Sequence, residues 1–443
     1  MRGINRSIYG SVLVSVYLFL FFLTFNQGVF KVSFLKYIDE ITLVLSVGVI
    51  LLVTLKEIYT GVVNKIFLVL AIYVICQYFN YLNSPFDLNL NFVLIQSFIN
   101  IKIFVVSLAF VILIRKINIS NKYYFFYYCF VVLFLLGLLL NLVLGEEWNK
   151  ILGYKVEYRY GFLRPAGWFS DVGQNVYFFV LFFSTLFFLY FKKQLVNVKG
   201  VMKKFFIFLV IDFFLAFVLT ARKGLLFMIS LFYLGFKEAR LEFRAIFVML
   251  SVLFIVAFIK LISGTQMYSD SLENISNFFH DEHGYVRGLV FFYGVSLFVE
   301  FFPFGVGAGT YGTVMSQYNT LAVYEYVGMP ESIYIHDGVF KDKTAIYDSG
   351  LASIMAENGF IGVVFLGAFV FFFFRFNKKI LDAYNYTVFC LITWFTLLLS
   401  VIDPVFQNGM YTVFYAMNLL MLYGRNNMVK MNRRWVKARS YSK

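Results

Sequence analysis

Apolar residues run along this chain in long blocks, separated by short polar segments in which Lys and Arg cluster. Each block approaches or exceeds the ~20 residues that cross a ~30 Å hydrocarbon core. Peptide groups in lipid must be satisfied within their own segment, so the blocks predict helices. The strand-period alternation that a membrane barrel requires is absent. In order, the blocks predict helices near 8–25, 38–55, 66–82, 92–114, 123–144, 172–191, 205–220, 224–236, 245–262, 349–374, 386–402 and 406–423. The fold class that follows is an all-α polytopic membrane protein with about twelve transmembrane helices. A large extracytoplasmic loop separates the ninth from the tenth.

Three regions result. Residues 1–262 carry the first nine helices and an outer loop near 145–171. Residues 263–348 form the large periplasmic or extracellular loop, and 349–443 hold the last three helices and a basic tail. The apolar stretch from Tyr285 to Gly305 has the length of a further span. A span there would place Arg375, Lys378 and Lys379 on the outer side and break the alternation of charge, so an interfacial helix near 285–302 is expected. The helices near 205–220 and 224–236 are short; at ~1.5 Å per residue the second covers about 20 Å. Their tip, Thr220-Ala221-Arg222-Lys223-Gly224, therefore falls below the outer surface as a short-helix or re-entrant hairpin.

Composition agrees with this pattern. The 443 residues are 61% hydrophobic and 14% charged, with mean hydropathy +0.79, whereas soluble domains are about one quarter charged. The net charge of +14 raises the question of nucleic acid. The cations, however, stand in short clusters between apolar blocks and not in a basic patch with interleaved aromatics, so no nucleic-acid partner is expected. Arg2, Arg6, Lys56, Lys65, Arg115, Lys116, Lys122, Lys192, Lys193, Lys237, Arg240, Arg375, Lys378 and the tail all fall on one side if the helices alternate. The positive-inside rule makes that side the cytoplasm, with both termini in it, in a multi-pass protein of the cytoplasmic (inner) membrane. Cys76, Cys129 and Cys390 lie in apolar blocks and give neither a disulfide framework nor a zinc spacing. The first apolar block lacks a small-residue cleavage site, so a retained helix is expected.

Charges at membrane depth are costly and mark candidate chemistry. They are Lys102, Asp212, Arg222, Lys260 and Glu357. Snorkelling or a structural partner accounts better for Lys102 and Lys260. Arg222 differs because it lies on the outer side, where it does not mark the cytoplasm. With Arg164 and Arg287, also on the outer side, it makes a set that suits an anionic ligand such as a lipid diphosphate, since guanidinium forks match phosphate oxygens. Ordinary interfacial anchors are the plainer alternative. Gly305-Val306-Gly307-Ala308-Gly309 has the look of a nucleotide loop, but it follows no strand and opens no βαβ unit; tight turning is the better account. His280 and His283 have metal-pair spacing without a third ligand, so no metal is expected. His336 or Asp348 is the candidate general base. Tyr311, Tyr318, Tyr324, Tyr326, Tyr334, Trp148 and Trp168 offer faces for sugars or for an interfacial belt.

Together, FFPFGVGAGTYG at 301–312 and YDSGLASIMAENGFIGVVFL at 347–366 resemble the O-antigen ligase and polymerase superfamily. That family pairs a Pro-apolar-Gly-apolar-Gly-x-Gly turn in the large loop with a polar-led helix carrying acidic-x-Gly-apolar-Ile-Gly. LTARKG at 219–224 is similar to its Arg-bearing outer segment, and RPAGWFSDVGQN at 164–175 to its Arg-x-x-Gly-x-Phe…Asn element. Ligases of the family commonly open the last motif with His-Asn. Tyr347-Asp348-Ser349 here looks more like the O-antigen and capsular polysaccharide polymerases. The resemblance implies glycosyl transfer without metal or other cofactor, on the outer face of the membrane, between undecaprenyl-diphosphate-linked glycans as donor and acceptor. Arg222 and Arg287, with Arg164, would hold the diphosphate, and Asp348 or His336 would take the acceptor proton. A chain-length regulator and a flippase are the protein partners it implies, with membrane lipid around all of them. A ligase delivering glycan to lipid A core or protein, and a flippase or transporter of lipid-linked sugars, are the alternative functions.

Overall fold

A computed structural model describes residues 2–56, 62–116, 121–159, 162–169, 172–179, 181–182, 185, 249, 252, 256, 260, 263, 266–276, 286–330 and 349–423. The chain is helical almost throughout these residues. The long helices are α1 (Arg2–Phe25), α2 (Ile38–Lys56), α3 (Val62–Asn83), α4 (Leu90–Asn100), α5 (Lys102–Lys116) and α6 (Asn121–Leu144). After α6 come a short α7 (Glu146–Leu152) and a two-residue hairpin, β1 (Tyr158–Arg159) against β2 (Phe162–Leu163). Further on lie α8 (172–179), α9 (Gln266–Ser276), α10 (Val286–Glu300), α11 (Gly350–Ile380), α12 (Ala383–Leu399) and α13 (409–423). The predicted helices near 205–220 and 224–236, and nearly all of that near 245–262, lie outside the described residues.

Among the described residues, three helices are long and apolar enough to cross a membrane: Asn64–Asn83, Tyr123–Leu144 and Gly350–Ile380. A fourth span forms if Leu90–Asn100 and Lys102–Arg115 are taken as one, bent by 56°. Their outer faces carry Leu68, Ile75 and Leu82, then Phe125, Val132, Leu139 and Val143, then Val364 and Phe371, all exposed. Such a surface is what lipid tails accept and water does not.

Two predicted helices differ from expectation in the same way. The span near 92–114 is broken at Ile101, whose φ of −112° and ψ of 6° leave the helix. That near 349–374 runs on to Ile380 and is interrupted at Gly359, with φ 58° and ψ −165°. Hydropathy averaged over a block registers neither break: Ile101 stands between Asn100 and Lys102, and Gly359 follows Glu357 and Asn358, but these polar residues are too few to interrupt the apolar runs on either side.

The core lies where α1, α5, α6, α8, α11, α12 and α13 meet. Phe25 packs on Phe130, Phe169, Phe178 and Phe414, and Phe104 on Phe369, Phe373 and Phe406. α3 and α10 both pack against α11. Interhelical hydrogen bonds add to this packing: Tyr17 with Ser46, Thr393 with Tyr415, Thr396 with Tyr411, and Tyr423 to Asn377. The two ends of the bundle differ in charge. One carries Asp39, Glu40, Glu146, Glu147, Glu157, Glu300 and Asp403 together with Lys31, Lys102, Lys150, Lys155, Arg164 and Arg287; the other carries Arg115, Arg375, Lys378 and Lys379.

Candidate functional site

Among the described residues, the break in α11 carries a densely hydrogen-bonded polar cluster. Glu357 ends the first segment of the helix and is 0% exposed. Its Oε1 accepts hydrogen bonds from three consecutive backbone amides, Gly309 at 2.8 Å, Thr310 at 3.0 Å and Tyr311 at 3.2 Å, and from the Thr313 hydroxyl at 3.0 Å. Its Oε2 accepts from Asn100 Nδ2 at 3.0 Å. Successive amides converging on one oxygen form an anion-binding nest. The glycine-rich loop therefore has the form of an anion-binding loop, and the anion it holds is the protein's own carboxylate.

Backbone closes the same joint. Ala356 and Glu357 carbonyls, freed by the break, accept from Val306 N at 2.9 Å and Gly307 N at 3.0 Å. Beyond the break, Ile361 N donates to the Pro303 carbonyl at 3.2 Å. The loop and the helix touch at two glycines. A Cβ on Gly305 would stand 2.5 Å from both the Ala356 carbonyl and Gly359 N. No side chain fits between them, and both residues have positive φ, so glycine is required on geometry and on space.

α4 supplies the neighbouring polar shell. Asn100, just before the second break, accepts from Gln96 at 2.7 Å and Gln407 at 3.2 Å through its Oδ1. Lys102, just after it, is buried and pairs with Asp39 Oδ2 at 2.5 Å. A cation at a helix N-terminus opposes the helix dipole, so the carboxylate offsets both burial and dipole. The expected structural partner of Lys102 is thus Asp39; Lys260 is exposed.

The predicted site residues are distributed as follows. Arg287 stands in the first turn of α10, 3.9 Å from Asp403 Oδ1, with side chains 24% and 4% exposed. The same turn holds the start of α11: Gly350 N donates to the Asp403 carbonyl at 3.3 Å, Leu351 N to the Ser400 carbonyl at 2.8 Å and Ser349 Oγ to the Val401 carbonyl at 2.8 Å. Ser349 also caps α11 by accepting from Ala352 N. Arg287 and the polar-led motif, distant in sequence, therefore meet at the 400–404 turn. Arg164 is held elsewhere: its Nη1 pairs with Glu157 Oε2 at 2.9 Å and its N donates to the Glu157 carbonyl at 2.8 Å. Arg222, His336 and Asp348 lie outside the described residues, as do Asp212, His280 and His283. Among the described residues, no group of His, Cys, Asp and Glu is arranged to hold a metal.

The Arg164 element is knitted to the bundle. Asn175 Nδ2 donates to the Pro165 and Ala166 carbonyls at 2.9 and 2.5 Å. Gly167 N donates to Asn141 Oδ1 at 2.9 Å, Trp168 Nε1 to Asn26 Oδ1 at 2.8 Å and Trp148 Nε1 to the Gly167 carbonyl at 2.6 Å. Of the loop aromatics, Tyr311 and Tyr324 are buried and stacked on each other, whereas Tyr318 and Tyr326 are exposed. Tyr334 lies outside the described residues.

No family model, curated protein or solved structure matches this chain. The joint around Glu357 and the turn around Asp403 are therefore defined by their own geometry. Sequence reasoning singled out Glu357 as a charge at membrane depth and as the acid of the acidic-x-Gly-apolar-Ile-Gly stretch, and passed over Asp403. The signal for Asp403 is an acid followed by Pro404 in a short turn between two apolar helices.

Proposed function

We propose that this protein is a polysaccharide polymerase of the outer face of the cytoplasmic membrane, joining undecaprenyl-diphosphate-linked repeat units. The observation that carries the reading is the interlock of the two motifs on which the resemblance rests. Pro303–Gly309 and Glu357–Gly362 form one joint through Gly305, Gly359 and the Glu357 carboxylate. Pairing in sequence is thereby matched by pairing in space. The end of the bundle that bears the acids would face outward and the mainly cationic end inward, with both termini cytoplasmic.

In the proposed reaction an acceptor hydroxyl oxygen attacks the anomeric carbon of the donor glycan. The new glycosidic bond forms as the bond to the diphosphate breaks. Asp348 or His336 takes the hydroxyl proton, and undecaprenyl diphosphate leaves with the electron pair. Arg287 and Arg222, with Arg164, would stabilise the charge that develops on it. A guanidinium has five N–H donors and one carboxylate takes at most two. The Asp403 contact of Arg287 thus orients the fork and is compatible with phosphate on its other donors. The test is to incubate purified protein with a lipid-linked repeat unit, with and without chelator. A ladder of products unaffected by chelator is expected, lost in Arg222→Ala and in Arg287→Ala. Full-length polymer from both variants would sink the diphosphate assignment.

One observation favours a second reading, a transporter of lipid-linked sugars. Two apolar helices are broken and meet through Asn100 and Glu357, with Lys102 and Asp39 beside them. Broken helices carrying buried charge build the substrate sites of many transporters. Accumulation of repeat units on the cytoplasmic leaflet in a deletion strain would select this reading; accumulation of unpolymerised repeats on the outer leaflet selects the polymerase.

A further inference from the structure

The face of α3 that looks at the broken helix is polar along its length. Tyr73, Gln77 and Asn80 follow one another at steps of four and three residues, which places them on one side of the helix, and Ser84 comes just past its last residue. Both ends of this stripe are tied. Ser84 Oγ donates to the Val306 carbonyl at 2.8 Å, and Tyr73 OH donates to Asn358 Oδ1 at 3.3 Å. Between these ends stand Gln77 and Asn80, each 0% exposed. The nitrogen and the oxygen of both carboxamides are buried and make no hydrogen bond among the described residues. Gly362 of α11 is opposite: a Cβ there would stand 3.6 Å from Gln77 Nε2.

We propose that Gln77 and Asn80 form an internal site for a short chain of water molecules, running along α3 from Ser84 to the break in α11. The chemistry of the two side chains selects the ligand. A cation would satisfy their oxygens and leave the NH2 groups unpaired; an anion would do the reverse. The occupant must donate and accept together, and it must be small, because neither side chain has exposed surface. Successive stripe residues are one helical turn apart, about 5 Å along the axis, a gap that one water bridges with two hydrogen bonds. Leucine at either position would pack in such a bundle without any partner. The amides at this depth are therefore best accounted for by what they hold. Water there brings exchangeable hydrogen bonds beside Asn358, next to the break, so the joint that fixes the glycine-rich loop is solvated from within the bundle.

The test is radiolytic hydroxyl-radical labelling of the full-length protein in lipid nanodiscs prepared in H2(18)O. Tyr73 is compared with Tyr411, which is also buried and is hydrogen-bonded to Thr396. Oxidation of Tyr73 is expected at least about fivefold faster than that of Tyr411, because bound water supplies the radical locally. In the double variant Gln77→Leu/Asn80→Leu it should fall to the Tyr411 rate. Tyr73 reacting no faster than Tyr411 in the wild-type protein overturns the proposal whatever the variant does. Fast labelling that persists in the double variant overturns it too, since the water would then not depend on these amides.

Discussion

At the scale of single residues, Glu357 is the group whose loss should be felt most. Five donors converge on it with no bulk water to replace it. Leaving such donors unpaired in a buried site costs about 3–5 kcal/mol for a charged partner. Glu357→Ala should accordingly lower the thermal midpoint in detergent far more than Glu357→Gln, which keeps an oxygen for the nest; equal shifts would mean the nest does little. Lys102 and Asp39 behave differently, because each is costly only in the absence of the other. Lys102→Met alone should destabilise by about 3–5 kcal/mol, and Asp39→Asn added to it should restore most of the loss. A double variant as unstable as the single would show that the pair's value lies in other contacts. The sequence exposed both charges at depth but neither partner, since Asp39 and Lys102 are far apart along the chain and no local pattern relates them.

At the scale of elements, hydropathy located the helices well among the described residues and their interruptions not at all. The predicted 38–55 and 123–144 correspond to Ile38–Lys56 and Asn121–Leu144, and the interfacial stretch near 285–302 to the helix Val286–Glu300. These boundaries follow from where polar residues begin. The break at Gly359 arises from backbone-to-backbone contact with Gly305, a long-range fit that a block of apolar residues cannot encode. Two glycines of α11 make a test of this difference. Gly359→Ala must place a Cβ at φ 58°, ψ −165°, a region open essentially only to glycine, and against the 303–305 backbone. It should cost at least about 2 kcal/mol. Gly367 sits in regular helix, and nothing lies within 4 Å of where an added methyl would stand, so Gly367→Ala should gain about 0.5–1 kcal/mol. Thermal midpoints moving the same way for both would remove the argument that the break is imposed by the loop.

At the scale of the whole molecule, the described helices alternate so that most acids, with the cations that pair with them, lie at one end, and the other end is mainly cationic. Trp168 to Asn26 and Arg287 to Asp403 tie the ends of α1 and α12 to the starts of α8 and α10, Leu351 to Ser400 ties the start of α11 to the same turn, and Ser84 to Val306 ties the end of α3 to the glycine-rich loop. Tyr423 to Asn377 and Asn385 to the Leu422 carbonyl tie the opposite ends of α11, α12 and α13. The first set lies among acids, the second near Arg375, Lys378 and Lys379. If the acidic end faces outward, a cysteine at the exposed positions Tyr318 or Glu147 should react with an impermeant maleimide on intact cells. One at Lys379 should react only after permeabilisation. The three native cysteines are half-buried and would be replaced first. Labelling of Lys379 from outside would invert the orientation and remove the outer-face reaction with it, because Arg287 and the start of α11 would then face the cytoplasm. Labelling of the Tyr318 and Glu147 positions from opposite sides would instead contradict the bundle itself, since both loops are tied to one end of it.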